Sequence, residues 1–139
     1  MDTIQVDIVS AEGQIFSGPA SMVFLPASEG EIGVAPRHAP LLTLLKAGEV
    51  RVRTPEGEEH WFYVGGGALE VQPKKVTVLA DTAARAKDLD EAAAAAARQR
   101  AESVLSGQID KLSQAEALAE LAQAMAQLKL IEKLRKLKG

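Results

Sequence analysis

The chain of 139 residues contains no cysteine. That excludes a disulfide framework, thiolate chemistry and any zinc site built on cysteine. Aromatic residues are few, one Trp, one Tyr and three Phe, and none follows Tyr63, so the C-terminal part lacks the aromatic anchors of a membrane-surface helix. No apolar run approaches the roughly 18 residues that a membrane span needs. The opening MDTIQVDIVS has neither a basic region nor an apolar core, so no secretory signal is expected and the chain is assigned to the cytoplasm or a compartment facing it. A net charge of −3 leaves no basic footprint for nucleic acid. What remains is an ordinary globular composition, 47% hydrophobic and 25% charged, of a length that makes one domain or two small ones.

The prolines divide the chain: all six precede residue 81. Up to about Ala80 the pattern has period two. TIQVDIV sets Ile4, Val6 and Ile8 on one face and Gln5 and Asp7 on the other, a half-buried strand. Further strands are expected at 14–17, 20–25, 41–46, 49–53, 60–64, 68–71 and 76–79. They are separated by turn chemistry at 12–13, 17–19, 47–48, 54–57, 65–67 and 72–75. Short strands so closely spaced predict an antiparallel sandwich or flattened barrel. Beyond residue 80 alanine dominates. Asp88 with Glu91, and Ser113 with Glu116, resemble capping boxes that start helices near 89–105 and 114–137, with SGQID turning the chain between them. Leu118, Leu121, Met125, Leu128 and Ile131 would form one apolar stripe on the second helix. Ala92 to Ala97 give the first helix a thin body that buries little area, so the expected architecture is an all-β sandwich followed by a marginally docked antiparallel two-helix hairpin.

No constellation of catalytic residues emerges. His38 and His60 lie 22 residues apart, and His60 alternates with Phe62 and Val64 on an expected strand, which suits a structural role. The serines of SGP, SEG and LSGQ form no nucleophile elbow. Gly65-Gly66-Gly67 lacks the Lys-Ser/Thr of a phosphate loop and leads into a strand, so a bulge or tight turn is expected there. Asp81, Asp88 and Asp90 cluster at the junction of the two halves, where capping accounts for Asp88 as well as catalysis would. Two charged features stand apart. EGEIGVAPRHAPLL, residues 29–42, sets carboxylates, Arg37 and His38 in a loop stiffened by Pro36 and Pro40. Five basic residues, Lys129, Lys133, Arg135, Lys136 and Lys138, face Glu132 alone near the end of the second helix and suggest an acidic partner.

Taken in order, VDIVSAEGQIFSG, SEGEIGVAPRHAPLL, GGGALEVQPKKVTVLADTA and KDLDEA resemble the epsilon-subunit family of bacterial F-type ATP synthases over the whole chain. The resemblance implies a β-sandwich at 1–86 that binds the gamma subunit and the membrane rotor ring of c subunits, and a regulatory helical hairpin at 87–139. It implies no catalysis by this chain, no cofactor, no membrane insertion, and a peripheral place on the cytoplasmic face of the bacterial plasma membrane. By resemblance the loop at 29–42 meets the ring, with Glu29, Glu31, Arg37 and His38 as register-fixing contacts. The hairpin restrains ATP hydrolysis when its second helix extends to the catalytic beta subunit, which selects Lys129, Lys133, Arg135 and Lys136. Some members bind ATP through [I/L]-D-x-x-R-A. Here Leu89, Asp90 and Ala94 match, Ala93 stands at the arginine position, and Gln123 and Gln127 stand where basic residues are expected. Asp90 and Arg100 remain as nucleotide candidates, and loss of the charge-assisted contacts implies no ATP binding at physiological concentration. The rival reading is a free-standing sandwich module dimerised by its helices; a small hydrolase has no supporting residues.

Overall fold

A computed structural model describes residues 2–107 and 111–138, apart from the side chains of Lys111, Leu112 and Lys138. The chain forms two compact units, 1–85 and 86–139.

The first unit is one eight-stranded sheet folded on itself. Its strands are β1 (Ile4–Ser10), β2 (Gly13–Ala20), β3 (Met22–Ala27), β4 (Gly30–Val34), β5 (Leu41–Arg53), β6 (Glu59–Gln72), β7 (Lys75–Ala80) and β8 (Ala83–Arg85). The order is β2-β1-β7-β6-β5-β3-β4, with β8 also paired to β6. The alternation read in TIQVDIV is realised: Ile4, Val6 and Ile8 are fully buried and the residues between them half-buried. Two pairs of expected strands prove continuous. Residues 41–46 and 49–53 are one strand, β5, and 60–64 and 68–71 are one strand, β6.

These two long strands pass through both layers. The C-terminal half of β6 pairs with β7 and its N-terminal half with β8, while β5 pairs with β3 mainly over Arg51–Arg53. The core lies between the layers. Ile4, Val6, Ile8, Leu69, Val71, Val76 and Val78 face Val23, Leu25, Val34, Val50, Val52, Phe62 and Val64. The glycine triplet marks the bend. It is neither bulge nor turn, because Leu45↔Gly67 and Ala47↔Gly65 keep one register on either side. Gly66 and Gly67 adopt φ of 102° and 133°, and a Cβ on Gly67 would fall 2.1 Å from the Leu79 carbonyl oxygen. Only glycine lets β7 approach so closely.

The expected antiparallel sheet is also corrected. β1 runs parallel to β7, with Val6 opposite Val76 and Ile8 opposite Val78. The 64 residues between Ser10 and Lys75 supply the long crossover that a parallel pair requires.

In the second unit a 3-10 turn, Ala86–Asp88, leads into α1 (Glu91–Ser106), and α2 spans Lys111–Lys138. The cap of α1 is Asp90, not Asp88: its Oδ1 accepts from the Ala93 N–H at 3.0 Å, while Asp88 closes the preceding 3-10 turn. Asp88 alone has a glutamate three residues on, yet the 3-10 turn at Ala86–Asp88 moves the helix start on and leaves Asp90, followed by Ala93, as a single cap without the reciprocal box. Gly107 ends α1, its N–H donating to Ser103 and Val104 carbonyls; the rest of the expected SGQID turn lies outside the described residues. Ser113 lies inside α2, two residues past its start at Lys111, rather than at the expected helix start. The seam is narrower than the expected stripe. Ala94 and Ala101 of α1 and Ala117, Ala124 and Leu130 of α2 are buried; Leu121, Leu128 and Ile131 are half-buried, and Leu118 and Met125 are exposed. Of Ala92 to Ala97, only Ala94 is buried and Ala97 half-buried. Small side chains centre the seam because a leucine pair would hold the helices farther apart.

Candidate interaction sites

The charged stretch at 29–42 is a strand flanked by two turns rather than a single loop. β3 and β4 form a hairpin with Ser28 and Glu29 at its tip, and Ser28 N–H donates to the Leu44 carbonyl at 2.9 Å. Glu31 is exposed on β4 opposite Pro26. The alternation was hidden because EGEIG offers one large apolar residue among charges and glycines, as edge strands often do. Beyond β4, Ala35 to His38 make a turn closed by His38 N–H to the Ala35 carbonyl at 3.2 Å. Glu29 and Glu31 therefore sit near one end of β4 and Arg37 and His38 past the other, roughly 13 Å along the strand at 3.3 Å per residue. Arg37 Nη2 is 2.8 Å from Asp2 Oδ2, and His38 Nδ1 is 2.7 Å from the Ala39 carbonyl oxygen.

An apolar surface adjoins this stretch. Leu42, Leu44 and Leu79 are 76%, 66% and 54% exposed, and Leu41 is exposed beside them. Leu44 stands opposite Ala68, Ala68 opposite Leu79, and Leu79 opposite half-buried Val9, so one cross-strand row on the outer face is wholly apolar. In sequence, LLTLL falls in the strand expected at 41–46. In the structure Leu45 takes the core side, leaving Leu42 and Leu44 on the other. Its signal was available: a strand apolar on both faces has both faces covered. On the other half of the sheet, Phe24, Arg51 and Trp61 form a cross-strand row, with the Arg51 guanidinium 4.2 Å from the Phe24 ring centre.

Further along the outer face, Asp7 Oδ1 accepts from the Ser17 hydroxyl at 2.7 Å and from the Gln5 amide at 3.0 Å, and Lys75 Nζ is 3.1 Å from Oδ2. The Ser17 hydrogen bond chiefly holds the Asp7 carboxyl below its ordinary value, against the opposing effect of partial burial, with Gln5 and Lys75 adding to the lowering. His60 packs against Phe16 with ring centres 5.7 Å apart and planes inclined by 41°, which fits its structural reading. Among the described residues no cluster of three or more His, Asp or Glu could hold a metal ion.

Within the hairpin, Ala93, Ala94, Ala97, Arg100, Glu120, Gln123, Ala124 and Gln127 surround a cleft of about 220 Å³ between α1 and α2. Of the positions compared with the nucleotide motif, Ala93, Ala94, Arg100, Gln123 and Gln127 thus converge in space, whereas Leu89 and Asp90 are not part of the lining. Among the described residues Arg100 is the one cation lining the cleft, with Glu120 also present, and Asp90 is engaged as the helix cap. Of the basic residues on α2, Lys129 and Lys133 are exposed, Lys136 lies 3.5 Å from Glu132 Oε1, and Arg135 donates to the Glu91 carboxylate of α1. The Lys138 side chain lies outside the described residues.

Two family models match the chain: the β-sandwich domain of the ATP synthase delta/epsilon chain over residues 3–86, and its long α-helix domain over 87–132. An ATP synthase epsilon chain of Nitrosococcus oceani is 62% identical over 137 residues, covering 99% of this chain and 98% of the relative. That of Halorhodospira halophila is 62% identical over 138 residues, with 98% and 97% covered. Among solved structures, a chain in the Euglena gracilis mitochondrial ATP synthase (OSCP, F1 and c-ring) has a TM-score of 0.70 at 21% identity, with 99% of this chain and 82% of that one covered. A chain of the Tetrahymena thermophila mitochondrial ATP synthase central stalk and c-ring gives 0.63 at 12% identity, covering 94% and 97%. These two share the fold.

Proposed function

The chain belongs to the delta/epsilon chain family of ATP synthase, and from that premise we propose that it is a non-catalytic subunit of the central stalk, joining the rotor ring to gamma and restraining ATP hydrolysis through its helices. The observation that carries the proposal is the leucine face. Leu42, Leu44 and Leu79 leave an apolar row on the outside of a sheet, next to a stiff charged stretch. Exposed apolar surface grouped in this way marks a protein interface, and gamma is its occupant here. Glu31 and His38, with Glu29, meet the polar loops of the ring. Lys129, Lys133 and Lys136 recur at four- and three-residue steps along one side of α2 and meet an acidic segment of the catalytic beta subunit when the hairpin extends. On this reading the subunit drives proton-coupled ATP synthesis from a peripheral position on the cytoplasmic face of the plasma membrane. Among the described residues no helix is long and apolar enough to cross a membrane.

Detergent-solubilised membranes passed over the tagged full-length chain test this. Gamma and the catalytic subunits are expected on the column; a homodimer alone would favour the free-standing module. Leu42→Asp with Leu44→Asp should lower gamma affinity by at least about a hundredfold, since each buried leucine contributes about 1.5–3 kcal/mol, and should leave the fold intact because both side chains are exposed. Glu31→Gln with His38→Ala should weaken binding to the ring alone.

A further inference from the structure

We propose that Asp2 is a positioning residue for the turn at 35–38, acting through Arg37; the inference rests on the reading that this turn meets the rotor ring. Arg37 has φ of 68°, the one positive φ outside glycine among the described residues. With Pro36 before it and the Ala35–His38 hydrogen bond closing the turn, Arg37 occupies the third position of a type II turn, where glycine or asparagine is favoured. An arginine there sets Cβ against the following carbonyl, and glycine would avoid that strain.

What glycine lacks is a guanidinium. In this structure it reaches Asp2 Oδ2 at 2.8 Å. The backbone of the same residue is held from another side, its N–H donating to the Pro73 carbonyl at 2.9 Å in the β6–β7 turn. That turn also accepts, through Lys74, the N–H of Gln5 at 3.0 Å, just after Asp2 in the chain. Three segments far apart in sequence therefore converge on Arg37: the N-terminal stretch, the β4–β5 turn and the β6–β7 turn. The Arg37 guanidinium, though exposed, is paired with a carboxylate of its own chain, so its part in ring contact is to fix the turn that presents His38.

Full-length variants Asp2→Asn, Asp2→Glu, Arg37→Ala and the double Asp2→Asn/Arg37→Ala test the assignment by two readouts. One is amide hydrogen exchange at Arg37 and His38; the other is affinity for the detergent-solubilised rotor ring with gamma bound. Asp2→Asn should speed exchange at both amides and weaken ring binding by up to about fivefold, the upper end of what an exposed pair supports. Asp2→Glu should retain parental behaviour, and the double variant should match Arg37→Ala alone. The proposal is overturned if Asp2→Asn matches the parent in exchange, or if it speeds exchange and leaves ring affinity unchanged while Glu31→Gln with His38→Ala lowers it. Should neither that pair nor Asp2→Asn alter ring affinity, the ring reading fails; faster exchange in Asp2→Asn then still upholds the positioning of the turn.

Discussion

Removing either half of the Glu91–Arg135 pair should shift ATP hydrolysis in opposite directions. The pair ties the first turn of α1 to the last turns of α2, and so stabilises the closed hairpin. In the proposed extended state Arg135 turns to an acidic partner on the catalytic subunit. Glu91→Gln removes the closed-state partner alone, favours extension and lowers hydrolysis. Arg135→Gln removes the partner needed in both states and raises hydrolysis toward the rate given by a chain lacking residues 87–139. With side chains 64% and 53% exposed, the pair contributes at most about 1 kcal/mol, which bounds the effect of Glu91→Gln at about fivefold. The Arg98–Glu102 pair, 2.9 Å and confined to α1, provides a control: Glu102→Gln should leave hydrolysis unchanged. The assay is hydrolysis by the soluble complex reconstituted with each variant. Changes of the same sign from Glu91→Gln and Arg135→Gln would refute the reasoning, as would no change from the truncation.

Three further outcomes are expected. Gly67→Ala should destabilise the first unit by about 3 kcal/mol or more in a denaturant titration, whereas Gly57→Ala, also at positive φ with nothing within 4 Å, should cost about 1 kcal/mol, so near-equal losses would contradict the close approach of β7. Because the folded state depresses the Asp7 pKa, its contribution is present above the unfolded value of about 3.9 and is lost as pH falls through the lower folded value; Asp7→Asn should lower the melting temperature at neutral pH and bring the two proteins together in strong acid. The isolated full-length chain should show no ATP binding by calorimetry, because among the described residues Arg100 alone lines the cleft as a cation, and a Kd below about 1 mM, roughly 4.1 kcal/mol, would contradict this.

Much of this fold was legible where a single face is buried. TIQVDIV announces β1 because solvent and core alternate along it. Where both faces are covered, or neither is, the pattern loses its meaning. LLTLL marks the place of β5 and, being apolar on both faces, that both are covered, but not which leucines face the core, and EGEIG concealed β4 because an edge strand needs little apolar material. Turn chemistry at Ala47-Gly48, and the bulge or tight turn expected at Gly65–Gly67, mark places where the strands in fact run on, since glycine signals turns, bulges and strand bends alike. The charged residues of the 29–42 stretch were visible in the sequence; the Asp2 contact was not, as 35 positions separate it from Arg37 and no local spacing encodes it. On α2 a seam of alanines left the leucine stripe only partly covered, because close helix approach depends on both partners at once.

The continuity of β5 and β6 through the bend gives the first unit a direction of stiffness. The twelve paired positions from Leu41↔Val71 to Arg53↔Glu59 run from one layer to the other, and their hydrogen bonds lie across the strands. A pull along those strands loads the ladder in shear, many bonds resisting together. A pull across them would part the ladder from its end, one rung after another. The two layers thus share a common spine, and slippage of one over the other requires the ladder itself to fail.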